Sequence, residues 1–407
     1  MSVAKLVEEV LAPELCTGCG ACGLVCPHNL ILFDKDSIQP KLDFDTAICA
    51  DCDHCHAVCP GLDPETDASE MHIYGRHRAA EERWLGIFTA FFGAQSCSEE
   101  IRRASSSGGA VTTLLLASRT QLGVRHTLTM GRNATEGWRA SPIVSDSKDV
   151  IISNSQSTYQ LAPYLNALRA TYDQAPDENV AVVGLACHVQ ALRKLQRQDT
   201  EIGSWAKERI VLIVETACSS NTLPAGTSAI ISDILGRDPT RTVNVKYREG
   251  VYPGRFQATD VNQDKCAVEF WQILSKLKEN KTHRCLSCGD WMSGLADVSV
   301  CDGDPNIFDA SLNGGQTISK HARVLVRTPT GAEIVEYAAK DGLLDRWAID
   351  LVGFNLGLER KKNRRRHYEQ TTLPIPYGPG ADETYERSEL RTDEELINPA
   401  RYRSSKS

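Results

Sequence analysis

The sequence predicts an α/β protein in two unequal parts, a small cysteine-stapled N-terminal module followed by an α/β domain with a mixed, largely buried sheet. Three observations carry this reading. Eight cysteines repeat one spacing within residues 16–59. From residue 87 onward, short and wholly apolar runs alternate with amphipathic ones, the pattern of buried strands covered by helices. A chain of 407 residues also exceeds what one hydrophobic core usually organises.

The N-terminal module spans residues 1–64. Its two runs are Cys16-x2-Cys19-x2-Cys22-x3-Cys26-Pro27 and Cys49-x2-Cys52-x2-Cys55-x3-Cys59-Pro60, the spacing of a bacterial ferredoxin with two [4Fe–4S] clusters. Three cysteines at two-residue gaps wrap one cube. The fourth cannot fold back onto it and crosses to the neighbour. Cys16, Cys19, Cys22 and Cys59 are thus expected on one cluster, and Cys49, Cys52, Cys55 and Cys26 on the other. Zinc sites take four ligands in two CxxC pairs and have no use for eight in a crossed arrangement. Disulfides need a secreted context, which nothing here supplies. His54 and His56 read as solvated loop residues.

Residues 65–86 are polar without a clear period and read as a linker or wrapping segment. The domain of residues 87–358 then opens with a strand at 87–94, followed by a Ser105-Ser106-Ser107-Gly108 turn and a helix from Gly109 to Leu122. VAVVGLA (180–186) is a strand and HVQALRKLQ after it a helix; RIVLIVET (209–216) repeats the strand. Further strands are expected at 296–302 and 322–328, and a helix at Ala332 to Lys340. A tail from residue 359 carries the basic cluster Arg360 to Arg366, more consistent with a solvated helix end than with a dock.

Composition narrows the function. With 41% hydrophobic and 24% charged residues the chain reads as globular, and no apolar run reaches the length of a membrane span. The N-terminus has acidic residues where a signal peptide would be apolar, so a cytoplasmic location is expected. There, fifteen cysteines mean metal or redox work, and a net charge of −8 argues against nucleic acid as the main partner.

Four more cysteines suggest one further site. Cys187 and Cys218 each follow an apolar strand, and Cys285 and Cys288 form a CxxC pair before another. In an open α/β sheet the residues past the carboxyl ends of the strands converge on one crevice. Spacing alone leaves three readings open for these four: a third [4Fe–4S] cluster, a zinc site, or packing thiols. Cys97, Cys266 and Cys301 read as packing residues. Ser105 to Gly109, opening a helix, is the best phosphate cradle in the chain, although ordinary N-capping looks the same. Arg248 and Arg255 flank a Pro-Gly turn that could hold phosphate or form a surface hairpin, and Asp302 and Asp304 end a strand where a ribose or ribityl hydroxyl could bind. Neither GxGxxG nor GxxxxGK[ST] occurs.

Together SSSGG, GLACHVQALRKL, ETACSSN, REGVYPGRF, CLSCGDWMSGLADVSVCDGD and VLVRTPTGAEIVEYA resemble, in order over roughly residues 87–345, the family formed by the beta subunits of the coenzyme F420 hydrogenases and dehydrogenases. That family also includes the 7-hydroxymethyl chlorophyll a reductases. The resemblance implies a flavin-binding domain holding FAD beside a [4Fe–4S] cluster, with Cys187, Cys218, Cys285 and Cys288 as its ligands. It also implies Tyr159, Gly184, Arg248 and Gly254 as flavin contacts. The chain departs from the family at Ala186 and Tyr252, which replace Pro and Trp, and at Ala217, which replaces Phe. It also carries Thr158 where a lysine is usual, removing one positive charge from a site that meets anions.

The expected function is an FAD- and [4Fe–4S]-dependent oxidoreductase. It would pass electrons between its clusters and a small-molecule substrate or coenzyme F420, with ferredoxin or F420 as redox partner and His188 as candidate proton donor. The alternatives are a non-catalytic electron-transfer subunit of a larger redox complex and a zinc-stabilised regulatory protein. Nothing in the sequence excludes a homo-oligomer.

Overall fold

The computed structural model describes residues 2–303, 320–349 and 367–377, apart from positions 50, 51, 80, 81, 83, 84 and 252. Asp304, Tyr252 and the basic cluster of the tail therefore lie outside the described residues.

Within the N-terminal module the short strands β1 (Leu32–Phe33) and β2 (Pro40–Lys41) close a hairpin. The domain that follows supplies β3 (Ala90–Ser96), β4 (Val124–Arg132), β5 (Ala140–Ser145), β6 (Asn179–Gly184) and β7 (Ile210–Thr216). Then come β8 (Thr242–Glu249), β9 (Arg255–Asp260), β10 (Lys265–Glu269), β11 (Val298–Asp302), β12 (Ala322–Val326) and β13 (Leu344–Trp347). Eight of these form one sheet in the order β13-β3-β12-β11-β7-β6-β4-β5. Its centre, β4, β6, β7 and β11, is parallel, and the outer pairings are antiparallel. The apolar runs explain the centre: Val180, Ala181, Val182, Leu212, Ile213 and Val214 are all 0% exposed, as strands covered on both faces must be.

Helices Ala110–Gln121 and Pro329–Lys340 cover one face through Leu114, Leu115, Ile334 and Val335. The second begins at Thr328, whose hydroxyl accepts from Gly331 N–H, with Pro329 in the first turn where its missing N–H costs nothing. Helix Ala186–Gln196 covers the other face through Val189, Leu192 and Leu195.

The structure moves one boundary, adds two strands and decides one turn. The first strand of the domain begins at Ala90 rather than residue 87, because pairing of Ala90 with Val326 sets its start. β4 and β5, rich in Thr and Ser, carry no apolar run to mark them. The REGVYPGRF turn does form a hairpin, β8 to β9, within a separate three-stranded sheet packed around Tyr247, Phe256 and Phe270.

The N-terminal module shares a core with the large domain. Cys19, Leu24, Val25 and Val58 pack with Leu165, Leu168, Val189 and Leu192 in one cluster. The chain passes so close that a Cβ on Gly20 would stand 2.6 Å from the carbonyl carbon of Pro163, and Gly20 itself has φ +82°. Leu165 N–H donates to Cys19 O at 2.8 Å, and Arg169 Nη1 donates to Cys26 O at 2.9 Å. The stretch after the module forms helix Thr66–Tyr74, whose Tyr74 hydroxyl donates to Gly294 O at 2.8 Å. Far along the chain, Tyr368 donates to Ser287 O and Tyr377 N–H to Leu62 O, so residues 367–377 close over the joint. No helix among the described residues is long and apolar enough to cross a membrane.

Candidate functional site

The cysteines gather into three neighbouring groups. The Cys22 thiol is pushed well above its ordinary pKa, first by burial and then by Cys19, Cys16 and Cys59. Cys59 is raised in the same way, by burial and by Cys19 and Cys16. Cys49 is raised by burial, Cys52 and Cys26. Cys59 thus neighbours Cys16, Cys19 and Cys22, and Cys26 neighbours Cys49, as a crossed arrangement needs, while Cys55 of the second run also reaches Cys22. Cys187 is raised by burial and then by Cys19, Cys218, Cys285 and Cys288. The four scattered cysteines therefore meet, and they meet beside the N-terminal module.

Local structure explains the last meeting. Cys187 lies in the first turn of the helix after β6, and Cys218 follows β7, its N–H donating to Trp291 O at 2.9 Å. Helix His283–Ser287 carries Cys285, whose N–H donates to the Thr282 hydroxyl, and ends at Cys288. Parallel β6 and β7 are hydrogen-bonded neighbours, so their carboxyl ends deliver Cys187 and Cys218 to one place.

What can these thiols hold? Among the described residues the only three Cys, His, Asp or Glu ligand atoms within 4.8 Å of one another belong to Asp67, Glu70 and His77. A single zinc ion with bonds of about 2.3 Å would draw its sulfurs closer than that. Four thiols gathered in one place are a ligand set that a zinc ion or a [4Fe–4S] cube accepts. Burial, reinforced by the neighbouring Cys19 and Cys285, pushes Cys16 up to about 12. Crowded buried thiolates need a cationic core to neutralise them, and among the described residues no disulfide relieves the crowding. Backbone N–H groups already face the sulfurs: Gly18 donates to Cys16 Sγ and Gly61 to Cys59 Sγ, each at 3.4 Å.

A cleft opens beyond the third thiol group, at the carboxyl ends of the parallel strands. Ser105, Ser106, Ser107 and Gly109 line it, as do Tyr159, Gly184, His188, Cys218, Arg248 and Asp302. The serine turn is held from several sides. Ser106 Oγ accepts from Ser157 N–H at 2.9 Å, Ser105 Oγ donates to Ile101 O at 2.7 Å, and Lys320 Nζ donates to Ser105 O at 2.7 Å. Gly109 takes φ +77° at the start of helix Ala110–Gln121, where the first N–H groups have no helical acceptor. Ser220 Oγ, also lining the cleft, is buried with no hydrogen-bond partner. A cleft of hydroxyls and backbone donors with an orphaned buried oxygen fits a polar, anionic ligand, and FAD has that character.

Two residues expected at the cofactor are not among those lining the cleft. Gly108 does not line the cleft: a Cβ there would meet Ala94 O and His321 Cα at 2.7 Å, so packing of the turn against β3 and β12 requires the glycine. Gly254, at φ +99°, would drive a Cβ to 2.5 Å from the Arg248 backbone, a demand of the β8–β9 hairpin. Arg248 is a clamp: Nε donates to Pro253 O at 2.8 Å, and Nη1 pairs with both Asp302 oxygens at 2.8 and 2.9 Å. Its charge is shared with Asp302 before any ligand arrives.

His188 stacks on Tyr164 with ring centroids 4.6 Å apart, and its Nδ1 accepts from Leu185 N–H at 3.2 Å. Burial pushes its pKa down to about 3, so the ring is neutral and carries its proton on Nε2. A dry site disfavours the imidazolium, so any hydrogen bond His188 offers from Nε2 comes from the neutral ring. Ser219, Ser220 and Asn221, part of the ETACSSN segment but given no role from sequence, also line the cleft.

Comparison with known proteins agrees with this layout. Residues 91–169 and 177–350 match the N-terminal and C-terminal models of the coenzyme F420 hydrogenase/dehydrogenase beta subunit, and residues 15–61 match a 4Fe-4S dicluster domain. The coenzyme F420 hydrogenase subunit beta of Methanosarcina barkeri is 24% identical over 306 residues, covering 73% of this chain and 97% of that one. A subunit of the F(420)H(2) dehydrogenase of Methanosarcina mazei is 22% identical over 387 residues, 92% of this chain and 97% of that one. The coenzyme F420-dependent sulfite reductase of Methanocaldococcus jannaschii is 24% identical over 349 residues, 81% of this chain but 46% of the reductase. Among solved structures, a chain of the F420-reducing [NiFe] hydrogenase complex from Methanosarcina barkeri superposes with a TM-score of 0.57 at 19% identity, covering 73% of this chain and 98% of that one. That likeness is one of fold.

Proposed function

Because this chain belongs to the family of coenzyme F420 hydrogenase/dehydrogenase beta subunits, with a 4Fe-4S dicluster domain in front, we propose that it is an iron–sulfur flavoprotein oxidoreductase. Its substrate would be a small organic molecule or coenzyme F420, and ferredoxin or F420 its redox partner. Bound clusters would supply one-electron exchange and bound FAD two-electron exchange. Cys16, Cys19, Cys22 and Cys59 would hold one cluster, Cys26, Cys49, Cys52 and Cys55 the second, and Cys187, Cys218, Cys285 and Cys288 the third. Ser105 to Ser107 and Gly109 would offer hydroxyls and backbone N–H groups to the FAD diphosphate, with Asp302 accepting from a hydroxyl. Tyr159 and Gly184 would shape the cleft wall, and His188 would orient a ligand through Nε2–H.

The observation that carries this reading is one of order. The Cys187 group adjoins Cys19 of the module on one side, while Cys218, of the same group, lines the cleft on the other. Two of the relatives are named as subunits, which favours a chain that works inside a larger redox assembly. Anaerobic purification with iron, sulfide and flavin quantified together is the test, followed by reduction with F420H2 and with reduced ferredoxin in parallel. About twelve irons and one FAD per chain are expected. Stoichiometric iron without flavin would leave an electron relay in place of an oxidoreductase.

A further inference from the structure

Arg284 precedes the CxxC pair and belongs to no thiol group, yet it is among the largest fully buried side chains, 2% exposed. Its Nε donates to Gly61 O at 2.8 Å and its Nη2 to Pro60 O at 3.3 Å. The peptide joining Pro60 to Gly61 thus receives the guanidinium at its oxygen and presents its N–H to Cys59 Sγ at 3.4 Å. Arg284 itself sits in helix His283–Ser287, directly before Cys285, and that helix ends at Cys288. A guanidinium keeps its charge even when buried. One buried cation therefore faces two thiol groups, through space and through a polarised peptide.

We propose that Arg284 is a positioning residue for electron exchange at this junction, a permanent buried cation that raises the reduction potentials of both the Cys16/Cys19/Cys22/Cys59 and the Cys187/Cys218/Cys285/Cys288 sites. The inference rests on the cluster assignment proposed above. Reduction of either site adds one electron and one negative charge, supplied by a low-potential one-electron carrier. No bond breaks and no proton moves, since a guanidinium stays protonated throughout. A fixed positive charge nearby favours the more negative, reduced form, and hydrogen bonds to cluster sulfurs act in the same direction. The Cys26/Cys49/Cys52/Cys55 site, whose own neighbouring guanidinium, Arg169 on Cys26 O, stays in place in the variant, serves as an internal reference.

The test is Arg284→Gln in the full chain, purified anaerobically and assayed for iron, then titrated with dithionite while electron paramagnetic resonance follows the reduced sites. Iron should be retained, and the two junction sites should be at least tenfold less reduced at a given potential, about 59 mV for a one-electron couple. The reference site should move less. Arg284→Lys keeps the charge and loses the planar fork, and should stay within about a factor of two of the wild-type ratio. Wild-type titration curves in a fully loaded Arg284→Gln protein overturn the proposal, as does a lysine variant that titrates like the glutamine one. Should Arg284→Gln lose its iron, Asp290→Asn carries the test. Removing this anion should leave the third site more reduced at a given potential, and an unchanged or opposite shift overturns the proposal. A wild-type chain with about eight irons removes the third cluster and the proposed cofactor set with it. About twelve irons with unmoved potentials would remove the role of Arg284 alone.

Discussion

The eight N-terminal cysteines come from residues 16–59 of one continuous stretch, whereas Cys187, Cys218, Cys285 and Cys288 arrive from three separate places in the large domain. In the first region, tight loops bring the thiols together and the loops' own N–H groups face the sulfurs, as at Gly18 and Gly61. In the second, the sheet does the work: β6 and β7 must pair in parallel before Cys187 and Cys218 can meet. A locally built site tolerates distant changes. A site built by topology depends on the whole sheet and costs nothing extra once that sheet exists. The joint blurs the contrast, since the local region is welded to the topological one through the core around Leu165.

The harshest way to break the comparison is to break the weld. Gly20→Val puts a branched side chain against the Pro163 backbone, with a contact of 2.6 Å already at Cβ and a positive φ. It should destabilise the protein by about 3 kcal/mol or more. Denaturant unfolding of the anaerobic protein would show the loss, together with early proteolysis near residue 65. Unchanged stability would mean that the module is an independent passenger.

Next in size is Cys285→Ser, which removes one thiol from the topological group. About four of about twelve irons should be lost, and those in the module retained. Loss of nearly all iron in a soluble, folded variant would make the third group a precondition of the other two. The smallest change is Arg169→Gln, which deletes the donor to Cys26 O at 2.9 Å. It should cost about 1–2 kcal/mol by denaturant titration and leave the iron content unchanged. Iron loss from this variant would show that the module's loops are held in shape by the domain rather than by their own spacing.

The reach of sequence reading follows the same division. The doubled cysteine run is legible because its spacing is confined to residues 16–59, and the apolar runs 180–186 and 209–216 declare buried strands because nothing else can satisfy so many side chains without water. That Cys187, Cys218, Cys285 and Cys288 meet at all could be seen only once the strands were placed side by side. Gly108 and Gly254 show the opposite failure. Each sits in a plausible ligand turn, yet each is a glycine because backbone comes within 3 Å of where its Cβ would be. A sequence reports that a glycine is present and not which atom excludes the side chain. Arg284 could not be read at all, since one arginine beside a CxxC pair is ordinary until folding buries it between two thiol groups. Local spacing is a property of the chain, whereas convergence, burial and the sharing of one charge by two sites arise only when distant segments pack, and that was decided by the tertiary structure.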